Sequence, residues 1–438
     1  MTENLLAPYR ERLRNVSPFR VGGTVTEITG LLIVSRGPWL PVGGVCRIYP
    51  LAGARPVLAE VVGFRDERTL LMPLNDLRGV GPGSKVVALT KEAHLPVSEK
   101  LLGRVLDGLG RPIDGKGIVA AHSYPIYVSH SNPLDRQAIG EPLDIGIRAI
   151  NSMITLGKGQ RVAIMAGAGV GKSTLMAMIA RNTRADVKII ALIGERGREV
   201  EEFVIRTLPA EERERMIVVA ATSEAPALVR VRGAFIATAI AEYFRDRGQH
   251  VLLLMDSLSR FAMAQREAGL AAGEPPSTKG YTPSVFALLP RLLERAGSWK
   301  GRGSITGLYT VLMEGDDPHE PIADAVRSLS DGHIQLSRRL AEQAHFPAID
   351  VLSSVSRLRS QVTAKDHQSA VSELTRILAA YRDAEDLIQI GAYIKGRNAD
   401  VDRAIELMPL IRSYLCQERH ADATLQSSIQ GLAELLAA

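Results

Sequence analysis

One nine-residue segment constrains the fold of this 438-residue chain more than any other. The sequence AGAGVGKST (Ala166–Thr174) directly follows an apolar run, Arg161–Met165, and precedes a segment of helical character, Leu175–Arg181. A strand, a glycine-rich turn and a helix in this order form a phosphate-binding loop, because glycines allow close backbone approach and the helix amides face an anion. The segment therefore predicts nucleotide binding within an α/β domain.

The residues of this loop have distinct predicted roles. The Lys172 ammonium is expected to reach the β- and γ-phosphate oxygens of ATP, and the Ser173 hydroxyl is expected to ligate Mg²⁺. Ala166 stands where the strict pattern has glycine, which is a small-residue variant. The residues predicted to contact the nucleotide are Ala166, Gly167, Ala168, Gly169, Val170, Gly171, Lys172, Ser173 and Thr174.

Two carboxylates follow other apolar runs and are candidates for the same site. Asp256 ends the run VLLLMD, and an aspartate in this position helps to hold Mg²⁺ in P-loop enzymes. Glu195 lies just beyond the run Val187–Ile193. Ligands of open α/β sheets lie beyond the carboxyl ends of the strands, so Glu195 could orient a water that attacks the γ-phosphate. From the residues alone, a charged helix start is an equally acceptable interpretation of Glu195.

Three regions with different residue patterns follow one another along the chain. Six short β-rich runs between Val21 and Leu89 are separated by Gly, Pro and Asp turns, which is typical of a small β-barrel. From Gln160 to about Asp350, apolar strands alternate with helices and predict a mostly parallel sheet. After Lys365 the periodicity is helical only. The predicted domains are an arm over 1–18, a β-barrel over 19–92, an α/β domain over 93–364 with a connecting segment 93–157, and a helical domain over 365–438.

Two details of the terminal segments are also predicted. The arm over residues 1–18 can form a short helix that binds a partner, docks on its own domain or frays. Within the helical domain, Pro409 is expected to begin a helix rather than to lie inside one.

Composition excludes several classes of protein. The net charge of +5 is mild for this length and no long Lys/Arg block occurs, so charge argues against a nucleic-acid partner. The cysteines, Cys46 and Cys416, lie far apart and predict neither a zinc site nor a disulfide framework. The start of the sequence lacks the apolar stretch of a signal peptide, and no run approaches the ~20 residues that span a bilayer. A cytoplasmic protein is therefore expected.

Several longer strings together resemble one family. They are GERGREVEEF, DSLSRFAMAQRE, GEPPSTKGYTPSVFALLPRLLERAG, GSITGLYTVLMEGDD, PIADAVRSLSDGHIQLSRRLAE and HFPAIDVLSSVSR. They resemble the ATPases of the flagellar type III export apparatus, a family similar to the catalytic β subunit of rotary ATP synthases. The resemblance runs from about residue 20 to the C-terminus. It implies a RecA-like P-loop core with an N-terminal β-barrel and C-terminal helices, as the residues predicted independently.

The resemblance also implies roles for individual residues. Glu195 corresponds to the catalytic glutamate, and the adjacent Arg196 to an arginine that contacts this glutamate and the γ-phosphate. Arg260 corresponds to an arginine that lines the same pocket. Arg357 matches the arginine that reaches into the neighbouring subunit's site, where it stabilises charge on the transferred phosphoryl group. Phe346 corresponds to an aromatic that stacks on adenine. A weaker candidate for the same pocket is Tyr393.

The same resemblance implies partners. It predicts a homohexamer, a stator-like regulator at the N-terminal arm, an export-gate membrane protein, chaperone–cargo complexes and no nucleic acid. The loop Gly273–Pro283 resembles one that faces a coiled-coil stalk protein in the pore of the ring. The expected location is therefore the cytoplasm, peripherally associated with the membrane export apparatus.

Other functions remain open at this point. The ATPase of the virulence-type injectisome shares nearly all of the motifs. An RNA-translocating hexameric helicase would require exposed aromatics in a basic groove of the barrel, which has only Trp39, Tyr49 and Phe64 and no basic cluster. A rotary ATP synthase subunit matches the flanking strings less well. A purely structural nucleotide-binding subunit is disfavoured because one chain contains the full set of Lys172, Glu195, Asp256 and Arg357.

Overall fold

The computed structural model describes residues 21–51, 53, 55–90, 93–117, 122–128, 132–207, 210–313, 315, 317 and 319–437. The chain divides into two compact units. One contains the residues up to His94 together with Glu267–Glu274, and the other contains Leu95–Arg266 and the residues from Pro275 onward. Among the described residues, no helix is long and apolar enough to cross a membrane. The predicted arm over 1–18 lies outside the described residues, and the predicted domain boundaries stay predictions.

The first unit contains a closed β-barrel. Its six strands are β1 (Gly22–Thr29), β2 (Leu32–Arg36), β3 (Val45–Tyr49), β4 (Val57–Arg65), β5 (Arg68–Pro73) and β6 (Lys85–Thr90), in the order β1-β2-β5-β4-β3-β6. All neighbouring strands are antiparallel. Inward side chains such as Val25, Ile33 and Leu71 fill the barrel. The predicted barrel is therefore confirmed.

One of the two cysteines belongs to the barrel core. Cys46 is fully buried, and burial raises the pKa of its thiol to about 12. A thiol that stays protonated is a poor nucleophile and metal ligand. Cys46 and Cys416 are both free cysteines.

The second unit is built on a nine-stranded sheet. The remaining strands of the chain are β7 (His94–Val97), β8 (Val105–Asp107), β9 (His122–Pro125), β10 (Pro142–Leu143), β11 (Leu156–Gly157), β12 (Arg161–Ala166), β13 (Val187–Ile193), β14 (Met216–Ala221), β15 (His250–Asp256), β16 (Gly297–Ser298), β17 (Ser304–Leu312), β18 (Gly332–Leu336) and β19 (Ile349–Ser356). The order in the large sheet is β19-β18-β12-β17-β15-β13-β14-β8, with β16 pairing with β17. Among the described residues of this sheet, the β18–β19 and β16–β17 pairs are antiparallel and the other strand pairs are parallel, so a mostly parallel sheet is confirmed.

Helices connect and cover these strands. They are α1 (Arg148–Met153), α2 (Lys172–Asn182), α3 (Gly197–Glu201), α4 (Ala210–Arg213), α5 (Ala227–Arg245), α6 (Leu258–Ala272), α7 (Pro283–Leu293), α8 (Pro321–Leu329), α9 (Arg338–Glu342), α10 (Arg359–Val362), α11 (Lys365–Gln389), α12 (Ala399–Leu415) and α13 (Leu425–Ala437). Short 3₁₀ helices cover Glu99–Leu101, Pro133–Asp135 and Thr278–Gly280, and Glu202–Thr207 is a π-helix. Helix α5 packs against β13, β14 and β15. The strands of the sheet centre are buried along nearly their whole length and are rich in apolar residues, because both of their faces are covered.

The C-terminal segment is helical, as predicted, but one detail of the prediction is wrong. Pro409 does not begin a helix and instead lies inside α12. Buried residues of α12 occur on both sides of it, with Leu407 and Met408 before it and Ile411 after it. Burial of this continuous apolar face offsets the lost backbone hydrogen bond, so tertiary packing overrides the helix-breaking tendency of proline.

Candidate functional site

The carboxyl edge of the parallel sheet brings the predicted catalytic residues together. The phosphate loop leaves β12 after Ala166, Asp256 ends β15, and Glu195 follows the end of β13 by two residues. The strands lie in the order β12-β17-β15-β13, and the register of β13 and β15 sets Leu192 opposite Asp256. Because parallel strands end at the same edge, residues far apart in sequence converge there.

The phosphate loop has the backbone of an anion cradle. Gly169 and Gly171 adopt positive φ angles of 77° and 91°, which side-chain-bearing residues rarely adopt. A Cβ built at Gly169 would meet nothing within 4 Å, so open space lies above the loop. Helix α2 begins at Lys172, and its amino end presents unpaired amides to that space. The geometry fits a chain of phosphate groups.

The remaining residues of the phosphate loop are either buried or exposed. Ala166, Gly167 and Val170 are buried and anchor the loop, whereas Ala168 and Gly169 are exposed. The guanidinium of Arg338, the first residue of α9, donates to the Ala168 carbonyl oxygen at 3.2 Å. This contact was not predicted from the sequence. Arg338 lies in one of the strings that resemble the family, and nothing in its residue type or local sequence indicates a particular role.

Lys172 lies between the two predicted carboxylates. Its ammonium donates to the Asp256 carboxylate, and its Nζ lies 3.7 Å from Oε1 of Glu195. The side chains of Glu195 and Asp256 are only 9% and 8% exposed. Two buried negative charges are costly unless a cation is close, so the three groups stabilise one another. The arrangement also presents one positive charge and two carboxylates to any bound phosphate.

Asp256 has a second partner that sequence reasoning missed. The buried hydroxyl of Thr310, in β17, donates to Oδ1 of Asp256 at 2.6 Å. In the register of β15 and β17, Met255 lies opposite Tyr309, so the next residue of each strand is adjacent. The hydrogen bond leaves Asp256 one fixed orientation toward the loop.

Burial, together with the negative charge of Asp256, raises the pKa of Glu195 above its usual value. The positive charges of Lys172 and Arg260 oppose this increase. Arg260, on α6, donates through Nε to Oε1 of Glu195 at 3.1 Å. A carboxylate with a raised pKa is a better proton acceptor than an exposed glutamate, and such a shift is typical of catalytic groups. The neighbouring Glu199 also raises the pKa of Glu195.

This electrostatic balance predicts a pH effect. Replacing Arg260 by methionine removes a cation that lowers the pKa of Glu195, so that pKa should rise further. The base is active when deprotonated, and we therefore expect the acid limb of kcat/KM for ATP to move to higher pH. The measurement is a pH profile of ATP hydrolysis. Arg266→Met, on the same helix, is the matched control, and an acid limb at the same pH in both variants would contradict the role of Arg260.

Arg196 is placed differently from Arg260. Its side chain is 73% exposed and lies 3.7 Å from the carboxylate of Glu199. The resemblance implied a contact between Arg196 and Glu195, but the guanidinium that bonds Glu195 is that of Arg260. The role of Arg196 therefore stays a prediction.

A cavity of about 440 Å³ opens beside these groups. Ser173, Glu195 and Asp256 line one end, and Arg181, Arg419 and His420 line the other. Ser173, Thr174, Ala177, Met178 and Arg181 share one face of α2, as expected for positions about one helical turn apart. The cavity connects the catalytic end of the phosphate loop with the segment between α12 and α13.

The oxygen donors at the catalytic end fit Mg²⁺. The described residues hold no cluster of three or more His, Cys, Asp or Glu side chains that could bind a metal unaided. Mg²⁺ usually retains waters and is bound through one or two protein oxygens together with substrate phosphates. The hydroxyl of Ser173 and the carboxylate of Asp256 border the same cavity and supply such oxygens.

Phe346 lies next to the phosphate loop. Its ring is about half exposed, and its Cδ1 and Cε1 lie 3.7 Å from the position of a Cβ on Gly171. An exposed ring beside the loop is suited to stacking on a nucleotide base. Tyr393 has other partners, because its hydroxyl bonds the Asn398 carbonyl oxygen at 3.0 Å and the Asp402 carboxylate at 2.9 Å.

Arg357 lies at the opposite edge of the sheet. Its backbone N–H donates to the carbonyl oxygen of Asp331, and the Asp331 carboxylate bonds Arg161, the first residue of β12. The phosphate loop begins after Ala166, and the intervening strand spans about 17 Å at ~3.3 Å per residue. The Arg357 side chain is exposed. A chain in this conformation therefore does not bring Arg357 to its own Glu195.

The loop predicted to face a stalk protein contains a tight bend. Gly280 and the preceding Lys279 have positive φ angles of 76° and 50°. The Lys279 ammonium lies 3.2 Å from the Asp317 carboxylate, and the Tyr281 hydroxyl lies 3.3 Å from the Glu320 carboxylate. The bend expected at Gly280 is confirmed, whereas the contact with a partner stays a prediction.

Comparisons with known proteins agree with this site. The profile of the ATP synthase alpha/beta family, nucleotide-binding domain, matches residues 146–356, and that of the T3SS EscN ATPase C-terminal domain matches residues 363–434. The "Flagellum-specific ATP synthase" of Treponema pallidum (strain Nichols) is 51% identical over 99% of this chain and 97% of its own length. That of Bacillus subtilis (strain 168) is 50% identical over 94% of each chain.

Two solved structures share the fold. The assembled ATPase EscN of the enteropathogenic E. coli type III secretion system has a TM-score of 0.90 and 42% identity, over 94% of this chain and 100% of that chain. The structure of the same assembled ATPase with its central stalk EscO has a TM-score of 0.87 and 41% identity, with the same coverage.

Proposed function

Because this chain belongs to the family of flagellum-specific ATP synthases and type III secretion ATPases, we propose that it hydrolyses ATP to energise protein export by a flagellar apparatus. The chain is a P-loop ATPase with a RecA-like core, an N-terminal β-barrel and C-terminal helices. The flagellar assignment is supported by the names of the relatives at 51% and 50% identity.

One observation carries the proposal for the site. Lys172, Glu195 and Asp256 lie together beside the phosphate loop, whereas Arg357 lies at the other edge of the same sheet. A complete phosphoryl-transfer site also needs a cation that neutralises charge developing on the γ-phosphate. A neighbouring copy in a ring would supply that cation as its own Arg357. The assembled relative supports a homo-oligomer, and we propose a hexamer.

The loop and its neighbours bind and orient the substrate. Backbone amides at the start of α2 and the Lys172 ammonium hold the β- and γ-phosphates of ATP. Bound Mg²⁺ would neutralise phosphate charge and polarise the γ-phosphoryl group. The hydroxyl of Ser173 and the carboxylate of Asp256, which Thr310 orients, would supply oxygens that hold this ion.

Glu195 activates the attacking water. Its carboxylate accepts a proton from the water as the water oxygen bonds to the γ-phosphorus and the bond to the β–γ bridging oxygen breaks. The products are ADP and inorganic phosphate, and the proton on Glu195 returns to solvent. Arg260 keeps the carboxylate oriented, and the neighbour's Arg357 stabilises the equatorial oxygens of the transferring group.

The remaining partners follow the family. We propose that the loop Gly273–Pro283 contacts a coiled-coil stalk protein, since the relative was solved with its central stalk. We also propose a stator-like regulator at the N-terminal arm, contacts with an export-gate membrane protein and with chaperone–cargo complexes, and a cytoplasmic, peripherally membrane-associated location. Hydrolysis would then release or unfold export cargo.

The injectisome ATPase is the second candidate function. It is favoured by the structural likeness to EscN at 42% identity. Both candidates use the same site chemistry and differ in the apparatus served. An RNA-translocating helicase has less support, because the barrel has three exposed aromatics, Trp39, Tyr49 and Phe64, but its sequence lacks the cluster of basic residues that a groove for single-stranded RNA needs.

The proposal is tested by steady-state ATP hydrolysis over a wide range of protein concentrations, with and without RNA. Specific activity should increase with protein concentration, because assembly completes each site, and RNA should not change it. A specific activity independent of concentration in a protein that stays monomeric would contradict the ring. Strong stimulation by RNA would favour the helicase instead.

A further inference from the structure

A buried glutamine links the C-terminal helices to the nucleotide site. Gln417 follows α12 and is 7% exposed. Its Nε2 donates to the carbonyl oxygens of Gly146 and Ala421, each at 2.9 Å, and its Oε1 accepts the backbone N–H of Arg148 at 2.8 Å. Three of the four hydrogen-bonding positions of the side-chain amide are therefore used, and two of the partners, Gly146 and Arg148, lie at the start of α1. A buried amide with this many partners holds one conformation.

The backbone of Gln417 also contacts Phe346, the residue predicted to stack on adenine. The N–H of Gln417 donates to the carbonyl oxygen of Phe346 at 2.9 Å. The Phe346 ring lies beside Gly171 of the phosphate loop. Gln417 thus connects the residue that carries the ring to a rigid part of the core, and the distance between ring and loop depends on that connection.

A second set of contacts fixes the segment around Gln417. The Arg148 guanidinium donates to the carbonyl oxygens of Tyr414 at 2.8 Å and Cys416 at 3.4 Å, and it lies over the Tyr414 ring. These contacts hold the end of α12 and Cys416, which directly precede Gln417, against α1. Movement of Phe346 together with the Gln417 segment would require these contacts to break.

We propose that Gln417 is a positioning residue for base recognition. It holds the Phe346 ring at the distance from the phosphate loop that a nucleoside phosphate requires, without touching the nucleotide. The inference rests on the proposed function, since it assumes that the base of ATP stacks on Phe346. It assigns Gln417 to the base-dependent part of binding and leaves the phosphate-dependent part to Lys172 and the loop.

The test compares a ligand that has a base with one that has none. MgADP contains the base, and Mg-pyrophosphate presents phosphates alone. Gln417→Met keeps the side-chain size but removes all three side-chain hydrogen bonds. We expect it to raise the Kd of MgADP about three- to tenfold and to leave the Kd of Mg-pyrophosphate unchanged, since stacking of one base accounts for roughly a tenfold change in affinity.

Two further variants distinguish a loss of Phe346 positioning from a general disruption of the fold. Gln426→Met makes the same change at an exposed residue of α13 and should leave both affinities unchanged. Gln417→Glu retains the acceptor toward Arg148 and loses the donors to Gly146 and Ala421, so it should raise the Kd of MgADP in the same selective way. Gln417→Glu therefore tests the positioning role even if Gln417→Met does not fold.

The outcomes distinguish this inference from the proposed function. Phe346→Ala should raise the Kd of MgADP about tenfold with no change for Mg-pyrophosphate. If Phe346→Ala has this effect and neither Gln417 variant does, the positioning role is wrong and the stacking role stands. Equal weakening of both ligands by the Gln417 variants would also overturn the positioning role. Unchanged MgADP affinity in Phe346→Ala would overturn the stacking role and the inference with it.

Discussion

Replacing Arg357 by alanine should lower kcat for ATP by about 10³-fold or more, because arginines that complete a phosphoryl-transfer site from a neighbour contribute ~10³–10⁵ in rate. Nucleotide binding should change little, since Lys172 and the phosphate loop are intact in every subunit. The chain should still assemble into rings. The measurement is steady-state hydrolysis at a protein concentration where wild-type specific activity has reached its plateau.

A matched variant separates this role from a general loss of charge. Arg376 lies on α11, is largely exposed and lies 3.5 Å from the Asp400 carboxylate. An exposed ion pair contributes little to stability, so Arg376→Ala should keep wild-type activity. If Arg357→Ala retains activity comparable to that of Arg376→Ala, Arg357 is an ordinary surface arginine.

Replacing Glu195 by glutamine should lower kcat by about 10²–10⁴-fold, because the amide cannot accept the proton of the attacking water. The substitution also removes one of two carboxylates near Lys172, so nucleotide affinity should be kept or increased. We expect a variant that binds MgATP and forms rings but turns over slowly. The measurements are kcat in steady state and the Kd of MgATP.

The control for Glu195 lies a few residues away. Glu201 is exposed at the end of α3, and Glu201→Gln makes the same chemical change without touching Lys172 or Arg260. Its kcat should equal that of the wild type. Comparable activity of the Glu195 and Glu201 variants would remove Glu195 from the chemical step.

Features with a strong local signal could be predicted from the sequence. Strand β13 has the bounds, Val187–Ile193, that its apolar pattern predicted. The contact between Lys172 and Asp256 joins residues 84 positions apart, and it was still predictable. The carboxyl ends of parallel strands share one edge of a sheet, so an aspartate that ends a buried strand belongs near the loop.

Contacts that depend on register or helix direction could not be predicted. Thr310 bonds Asp256 only because β15 and β17 pair in one register, and a threonine inside an apolar strand gives no chemical signal. Which arginine reaches Glu195 depends on the direction of α6, which sets Arg260 and not Arg196 against the carboxylate. The partners of Gln417 include Gly146, 271 positions away, so no local pattern marks them.

At Pro409, a prediction from the local sequence was wrong. Its chemistry predicts a helix boundary, yet α12 continues through it. The apolar residues on either side pack into the same helical core, and the free energy of that burial exceeds the cost of one missing hydrogen bond. The helix propensity of a single residue therefore determines whether a helix ends there only where tertiary packing does not favour a continuous helix.

The central claim is that each active site is completed by a neighbouring copy, and mixing the two inactive variants tests it most directly. Glu195→Gln retains Arg357, and Arg357→Ala retains Glu195. In mixed rings, about a quarter of the interfaces formed by random assortment of equal amounts should join an intact Glu195 to a neighbour's intact Arg357. We therefore predict that the mixture regains ATP hydrolysis that neither variant shows alone. A mixture that co-assembles, shown with differently tagged chains, but stays inactive would contradict the shared site.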